Sequence, residues 1–197
     1  MISCILLSAG ESRRFGSPKA LAQIQGRTVI ESLQKEILSS QNIGELIIVL
    51  GYDAQIIAPL LLIHKKVKVV YNKDHKFGQT SSFQVGLRAV STEAKAVILL
   101  PVDYPFIKRE TLNLIVENFL KEDCRILIPS YREQKGHPPV FSIILKDEFL
   151  GLDKNVGINT VSSAHKKETI ILPTQDPGVI KTFNTPDELS GILLQNK

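Results

Sequence analysis

Four short apolar runs, separated by amphipathic stretches, constrain this chain more than any other feature. Ile2–Leu7, Glu45–Leu50, Lys66–Tyr71 and Ala96–Pro101 each read as a strand. The first, second and fourth are almost continuously apolar, as expected of parallel strands covered on both faces. Helical periodicity fills the gaps. Within Arg27–Ser40, the residues Val29, Ile30, Leu33, Ile37 and Leu38 fall on one face, and Thr28 and Glu31 have the spacing of a capping box. Thr80–Val90 and Arg109–Leu120 are helical in the same way. This alternation predicts an α/β fold: a Rossmann-like, three-layer, mostly parallel central sheet.

The second half is more mixed. Arg125–Pro129, Pro138–Ile144 and Glu168–Pro173 predict strands, and Thr185–Gln195 predicts a closing helix. No linker, repeat or low-complexity segment divides the 197 residues, so one domain over 1–197 is expected. The longest apolar runs, such as Ile57–Ile63, are far too short to span a bilayer. Met-Ile-Ser-Cys at the start lacks the basic region and cleavage site of a signal peptide, so a cytoplasmic protein with no membrane partner is expected.

Cys4 and Cys124 lie in apolar, strand-like runs without a C-x-x-C pattern and predict two buried, reduced thiols. His64, His75, His137 and His165 have no zinc-ligand spacing. A net charge of +4 raises the question of nucleic acid. The lysines are scattered, however, and aromatics are 6% with no Trp, too few for a stacking platform. A small polyphosphate ligand explains the charge without nucleic acid.

The first strand runs into Ser8-Ala9-Gly10, then Ser12, Arg13, Arg14, Phe15, Gly16, Ser17, Pro18 and Lys19. This is not a P-loop, because Ser17 follows the second glycine, nor a G-x-G-x-x-G fingerprint, because no glycine stands two residues after Gly10. Small residues at the end of a strand let a ligand approach the backbone, and an arginine with Lys19 can neutralise a triphosphate. A solvated basic loop is the plain alternative. Asp103, just past a buried strand and between Pro101 and Pro105, is placed to hold Mg²⁺, which takes one or two carboxylates with phosphates and water; a turn-forming Asp is the alternative there. Gly78, Gln79, Thr80, Ser81 and Ser82 gather hydroxyls and N–H groups at a helix start, for a ligand or for simple capping by Thr80 or Ser81. His137, after Gly136 and before Pro138, and Asn184, before Thr185-Pro186, read on their own as loop or capping residues.

Taken together these segments resemble nucleotidyltransferases that activate small molecules with an NTP, and within them the molybdenum cofactor cytidylyltransferase-like family. The family pattern L-A-A-G-x-S-x-R-[MF]-G-x-x-K appears as LSAGESRRFGSPK, and G-x-[ST]-S-S-[LF]-x-x-G-[LI] as GQTSSFQVGL. PVDYP, GHPPVF and DPGVIKTFNTPDEL follow in family order, so the likeness reaches from Leu6 to Leu189. The resemblance implies a nucleotide-diphospho-sugar transferase fold and Mg²⁺-dependent transfer of CMP from CTP to a phosphorylated acceptor, molybdopterin favoured, with release of pyrophosphate. It maps catalytic roles onto Arg14, Lys19 and Asp103. It maps nucleotide binding onto Leu7, Ser8, Ala9, Gly10, Ser12, Arg14, Gly16, Lys19, Gly78, Thr80, Ser81, Ser82, Pro101 and Val102. Acceptor binding falls to Gly136, His137 and Pro138, and the metal to Asp103 and Asn184. A transient molybdoenzyme partner is also implied.

Cytidylyl members tend to carry Ala-Ala-Gly where guanylyl members carry Ala-Gly-Gly, so Ala9 falls on the cytidylyl side. Two positions depart from the family. The late metal ligand, often Asp, is Asn184, whose amide oxygen ligates Mg²⁺ less strongly, and the G-[AG]-R segment is Gly157-Ile158-Asn159, without arginine. That second departure leaves open a sugar phosphate or another phosphorylated acceptor. A nucleotide-binding maturation protein without turnover is the rival from outside enzymology.

Overall fold

The computed structural model describes residues 1–195. In chain order the elements begin β1 (Ile2–Ser8), β2 (Gln23–Ile24), β3 (Arg27–Thr28), α1 (Val29–Ser39), β4 (Ile43–Leu50), α2 (Ala54–Ile57) and β5 (Val67–Tyr71). α3 (Gln79–Ala89), β6 (Ala96–Pro101), α4 (Arg109–Lys121), β7 (Ile126–Tyr131), β8 (Gln134–Lys135) and β9 (Val140–Ser142) follow. The chain continues through α5 (Lys146–Gly151), α6 (Asn159–Ala164), β10 (Thr169–Pro173) and α7 (Pro186–Gln195).

The main sheet runs β10-β7-β9-β6-β1-β4-β5, with β8 on β7 and a separate β2–β3 hairpin. β1 pairs parallel with both β4 and β6, and β10 with β7; only β8 and β9 run antiparallel. Every residue of β1 and of β6 is buried, which is why both lack hydrophobic alternation. Successive side chains still part to opposite faces. Cys4 and Leu6 join a core with Ile30, Leu33, Leu112 and Ile115 of α1 and α4. Ile5 and Leu7 join a second core with Phe83 and Leu87 of α3 and Phe149 of α5. Helices therefore cover both faces, giving the three expected layers.

The strands and helices expected from the sequence are present with local differences, and α2, α5, α6 and the short strands β2, β3 and β8 are additional to them. Pro138–Ile144 shrinks to β9 because Pro138 and Pro139 carry no N–H for the ladder, and the chain turns into a helical turn at Ile143. In α1 the capping box is present, Thr28 N–H donating to Glu31 Oε2 at 3.0 Å. Gln34 is buried on that helix and Leu38 is only half-buried. The amide of Gln34 donates to Ile30 O and Leu60 O and accepts Leu62 N–H at 2.7 Å, so it ties the 60–62 loop to α1. Cys4 is buried in β1, where burial pushes its thiol pKa up; Cys124 instead lies half-buried in the loop before β7. Among the described residues no helix is long and apolar enough to cross a membrane.

The connections place the site. From β1 the chain goes outward through β4 to β5, then returns to β6 on the other side of β1. A crevice opens beyond the carboxyl ends of such parallel strands, where the connections on the two sides of β1 leave in opposite directions. Leu7 is paired with Pro101 and Ser8 with Leu50, so the 8–10 and 101–103 segments leave the sheet side by side.

Candidate active site

A cavity of about 190 Å³ occupies that crevice. Leu7, Ala9 and Gly10 form its β1 wall and Pro101, Val102 and Asp103 its β6 wall. His75, Gly78, Gln79 and Ser82 close the third side. Eight of these ten residues are among those to which the sequence motifs assign a role; Gln79 belongs to the Gly78 motif without an assigned role, and only His75 lies outside the motifs. Ser8, also singled out, is buried in the last position of β1.

Lys19 adjoins the cavity through its ion pair with the wall residue Asp103, and the two mark its charged mouth. Its Nζ donates to Asp103 Oδ2 at 3.2 Å and to Asn184 Oδ1 at 2.9 Å, and the Arg14 guanidinium donates to the same Asn184 oxygen at 2.9 Å. Residues 165 and 170 positions apart thus meet at one amide oxygen. Local packing holds them. Phe15 meets the buried ring of Phe183 edge-on at 5.3 Å, and Lys19 Nζ stands 5.5 Å from the centre of that ring. Ser12 shapes the connecting loop: its carbonyl accepts from Phe15 and Gly16, and its hydroxyl accepts from Lys19 N–H at 3.2 Å. Arg13 points outward and pairs with Glu11, leaving Arg14 as the arginine at the site.

The α3 start differs from the sequence expectation. Gly78, at φ +83°, is the N-cap, and no side chain caps the helix. Thr80 donates to Val156 O at 2.6 Å. Ser81 and Ser82 donate to Gly78 O and accept from Asn72 Nδ2 at 2.9 Å. These hydroxyls are spent inside the protein; Ser82 still reaches the cavity wall, whereas Thr80 and Ser81 do not. Thr80 holds the Val156–Asn159 segment, where the departure at Asn159 falls, against α3.

On the opposite side, His137 stacks on Tyr104 with ring centres 4.4 Å apart. Burial lowers its pKa below the ordinary histidine value, against the pull of Asp103, so the ring is neutral at pH 7. Burial and Asp103 together raise the pKa of Tyr104. His137 N–H donates to Val179 O at 2.7 Å, fastening the 176–181 segment beside Gly136. Asp176 of the D-P-G motif is an anchor for that segment: it accepts from Thr111 Oγ1 at 2.7 Å, Gly178 N–H at 2.8 Å and Lys108 N–H at 3.2 Å.

Two oxygens already share one cationic group here, the Lys19 ammonium between Asp103 and Asn184. The arrangement fits Mg²⁺, which accepts one or two protein oxygens and fills the rest of its shell with phosphate and water. Among the described residues no group of three or more His, Cys, Asp or Glu side chains converges as a self-sufficient metal cage.

A family model described as the MobA-like NTP transferase domain matches residues 4–169, most of the chain. The chain belongs to that family. It is a nucleotidyltransferase. A relative from Aquifex aeolicus named "Probable molybdenum cofactor guanylyltransferase" is 28% identical over 97% of this chain and 90% of its own length. A Bacillus cereus protein of the same name is 30% identical over 66% of this chain and 63% of its own length. Among solved structures, Rv0371c from Mycobacterium tuberculosis superposes with a TM-score of 0.84 over 98% of each chain at 24% identity, a likeness of fold. The MobA-like fold therefore carries the crevice, with β1, β4 and β6 at its base.

Proposed function

We propose that this MobA-like nucleotidyltransferase transfers a nucleoside monophosphate from a Mg²⁺-complexed NTP, CTP in preference, to a phosphate oxygen of a small acceptor of the molybdopterin kind. One observation carries the reading: Lys19, Arg14, Asp103 and Asn184 meet at the mouth of the strand-end crevice. Two cations and one carboxylate beside a cavity suit a triphosphate, and the cavity wall itself carries no Lys or Arg. The base lies towards Ala9 and Gly78, and Lys19 and Arg14 hold the β- and γ-phosphates.

Asp103 and Asn184 would hold Mg²⁺, which supplies charge neutralisation on the phosphates when bound. The acceptor's phosphate oxygen forms a new bond to the α-phosphorus. The bond from that phosphorus to the β-bridging oxygen breaks, and pyrophosphate leaves with the electron pair. Such a nucleophile is ionised at neutral pH, so no general base is required. Catalysis is then positioning and charge stabilisation. His137, Gly136 and Pro138 face the acceptor side.

The preference for CTP rests on Ala9, a residue of the cavity wall, where glycine would leave room for a larger base. GTP is the second reading, favoured by the guanylyltransferase names of the relatives. Pyrophosphate release with CTP, GTP, ATP and UTP in parallel separates them. The expected result is highest kcat/KM with CTP, and a shift of about tenfold in the CTP-to-GTP ratio towards GTP in Ala9→Gly, the order of discrimination a pocket methyl supplies. A wild type that prefers GTP overturns the cytidylyl assignment and leaves the reaction class standing. Binding of NTP without turnover under any pairing favours the maturation-protein rival.

A further inference from the structure

One residue of the cavity wall has an unspent polar atom. His75 stands on the third wall, in the turn just before α3, and its Nδ1 is buried with no hydrogen-bond partner among the described residues. Buried polar atoms are nearly always paired, and an orphan at a ligand cavity calls for a ligand partner. Packing, rather than a polar bond at that atom, fixes the ring. Tyr52 meets it edge-on at 5.8 Å. Behind it, Gly51 gives the closest approach the backbone permits: an added Cβ there would lie 2.8 Å from His75 Cβ and 2.6 Å from Ala9 O. Gly51 is thus packed closely against both His75 and Ala9, the residue beside which the base is placed.

We infer that His75 is a specificity-determining residue for the nucleotide, hydrogen-bonding the base through its imidazole while Lys19 and Arg14 hold the phosphates. This rests on the nucleotide-binding reading above. An imidazole nitrogen can pair with a polar edge of a base, and a partner at that atom removes the cost of leaving it unpaired.

The test compares wild type with His75→Phe, which keeps the ring contact with Tyr52 and removes both nitrogens. Calorimetric titration with Mg²⁺-complexed CTP, GTP, ATP and UTP is set beside titration with tripolyphosphate, which has no base. For His75→Phe, Kd for the preferred NTP rises about tenfold, the loss expected for one neutral hydrogen bond, and the preference among bases narrows by a similar factor. Affinity for tripolyphosphate stays within about twofold, because the cationic end is untouched. Unchanged NTP affinity and base preference in His75→Phe overturn the inference, as does an equal loss for NTP and tripolyphosphate, which marks a structural role. If the Phe variant lacks a cooperative thermal transition, His75→Leu, which also removes both nitrogens, is measured in its place, and the same two results overturn the inference. A wild type that binds no NTP overturns the nucleotide-binding reading as well, whereas selective binding that survives the substitution overturns only the role of His75.

Discussion

Asp103→Ala lowers kcat for pyrophosphate release by about a thousandfold while leaving the fold in place, the scale expected when a preorganised charge facing a developing phosphate charge is removed. The carboxylate lies on the loop after β6, about a quarter of its side chain is exposed, and its ion pair with Lys19 is at the cavity mouth. A partly exposed pair of this kind contributes little to stability, so the thermal midpoint moves by about 2 °C or less. Removing the carboxylate also releases Lys19 from one of its two oxygen partners and weakens the candidate metal position. Asp103→Asn keeps an oxygen and loses the charge, and falls between the two. Retained Mg²⁺-dependent turnover in Asp103→Ala contradicts the metal role.

The second large effect is expected at Gly136. An added Cβ would lie 2.2 Å from Val179 O and 2.6 Å from Val179 C, both backbone atoms that no side-chain rotation can clear. Relief requires the 176–181 segment to lift, which breaks the 2.7 Å bond from His137 N–H to Val179 O. That segment also carries the chain on to Phe183 and Asn184. Gly136→Ala is therefore expected to cost about 2–3 kcal/mol, typical of overpacking with a lost buried hydrogen bond. The corresponding fall in thermal midpoint is about 5–10 °C. Turnover falls with it, because Asn184 loses its anchored approach to Lys19 and Arg14. An unchanged thermal midpoint would show that the segment yields freely and that its contact with Gly136 is unimportant.

How far these features can be read from the residues alone depends on whether their cause is local. β1, β4 and β6 are legible because burial on both faces demands unbroken apolar runs, and α1 because Thr28 and Glu31 cap it within one turn. The loop motifs place Gly10, Lys19 and Asp103 because ligands of such sheets bind beyond the carboxyl ends of the strands. What escapes is decided by distant partners. Gln34 interrupts an apolar face, and only the 60–62 loop explains why. Thr80 and Ser81 look like ligand hydroxyls in sequence, yet Val156 O and Gly78 O take them up. His75 belongs to no motif, because its importance comes from Gly51 and Ala9 across the sheet end. Asp176, quoted only as part of a motif, proves to be a structural anchor.

The central claim is that the charged mouth of the crevice activates an NTP for transfer of its α-phosphoryl group to an acceptor phosphate. Incubation of the wild type with α-phosphate-labelled CTP or GTP, Mg²⁺ and molybdopterin tests it most directly. The account predicts acceptor-dependent, chelator-sensitive appearance of label in a nucleotide–acceptor adduct, with one pyrophosphate released for each adduct formed. Labelled NTP that binds and is recovered intact, or that yields free nucleoside monophosphate with no adduct, would contradict it.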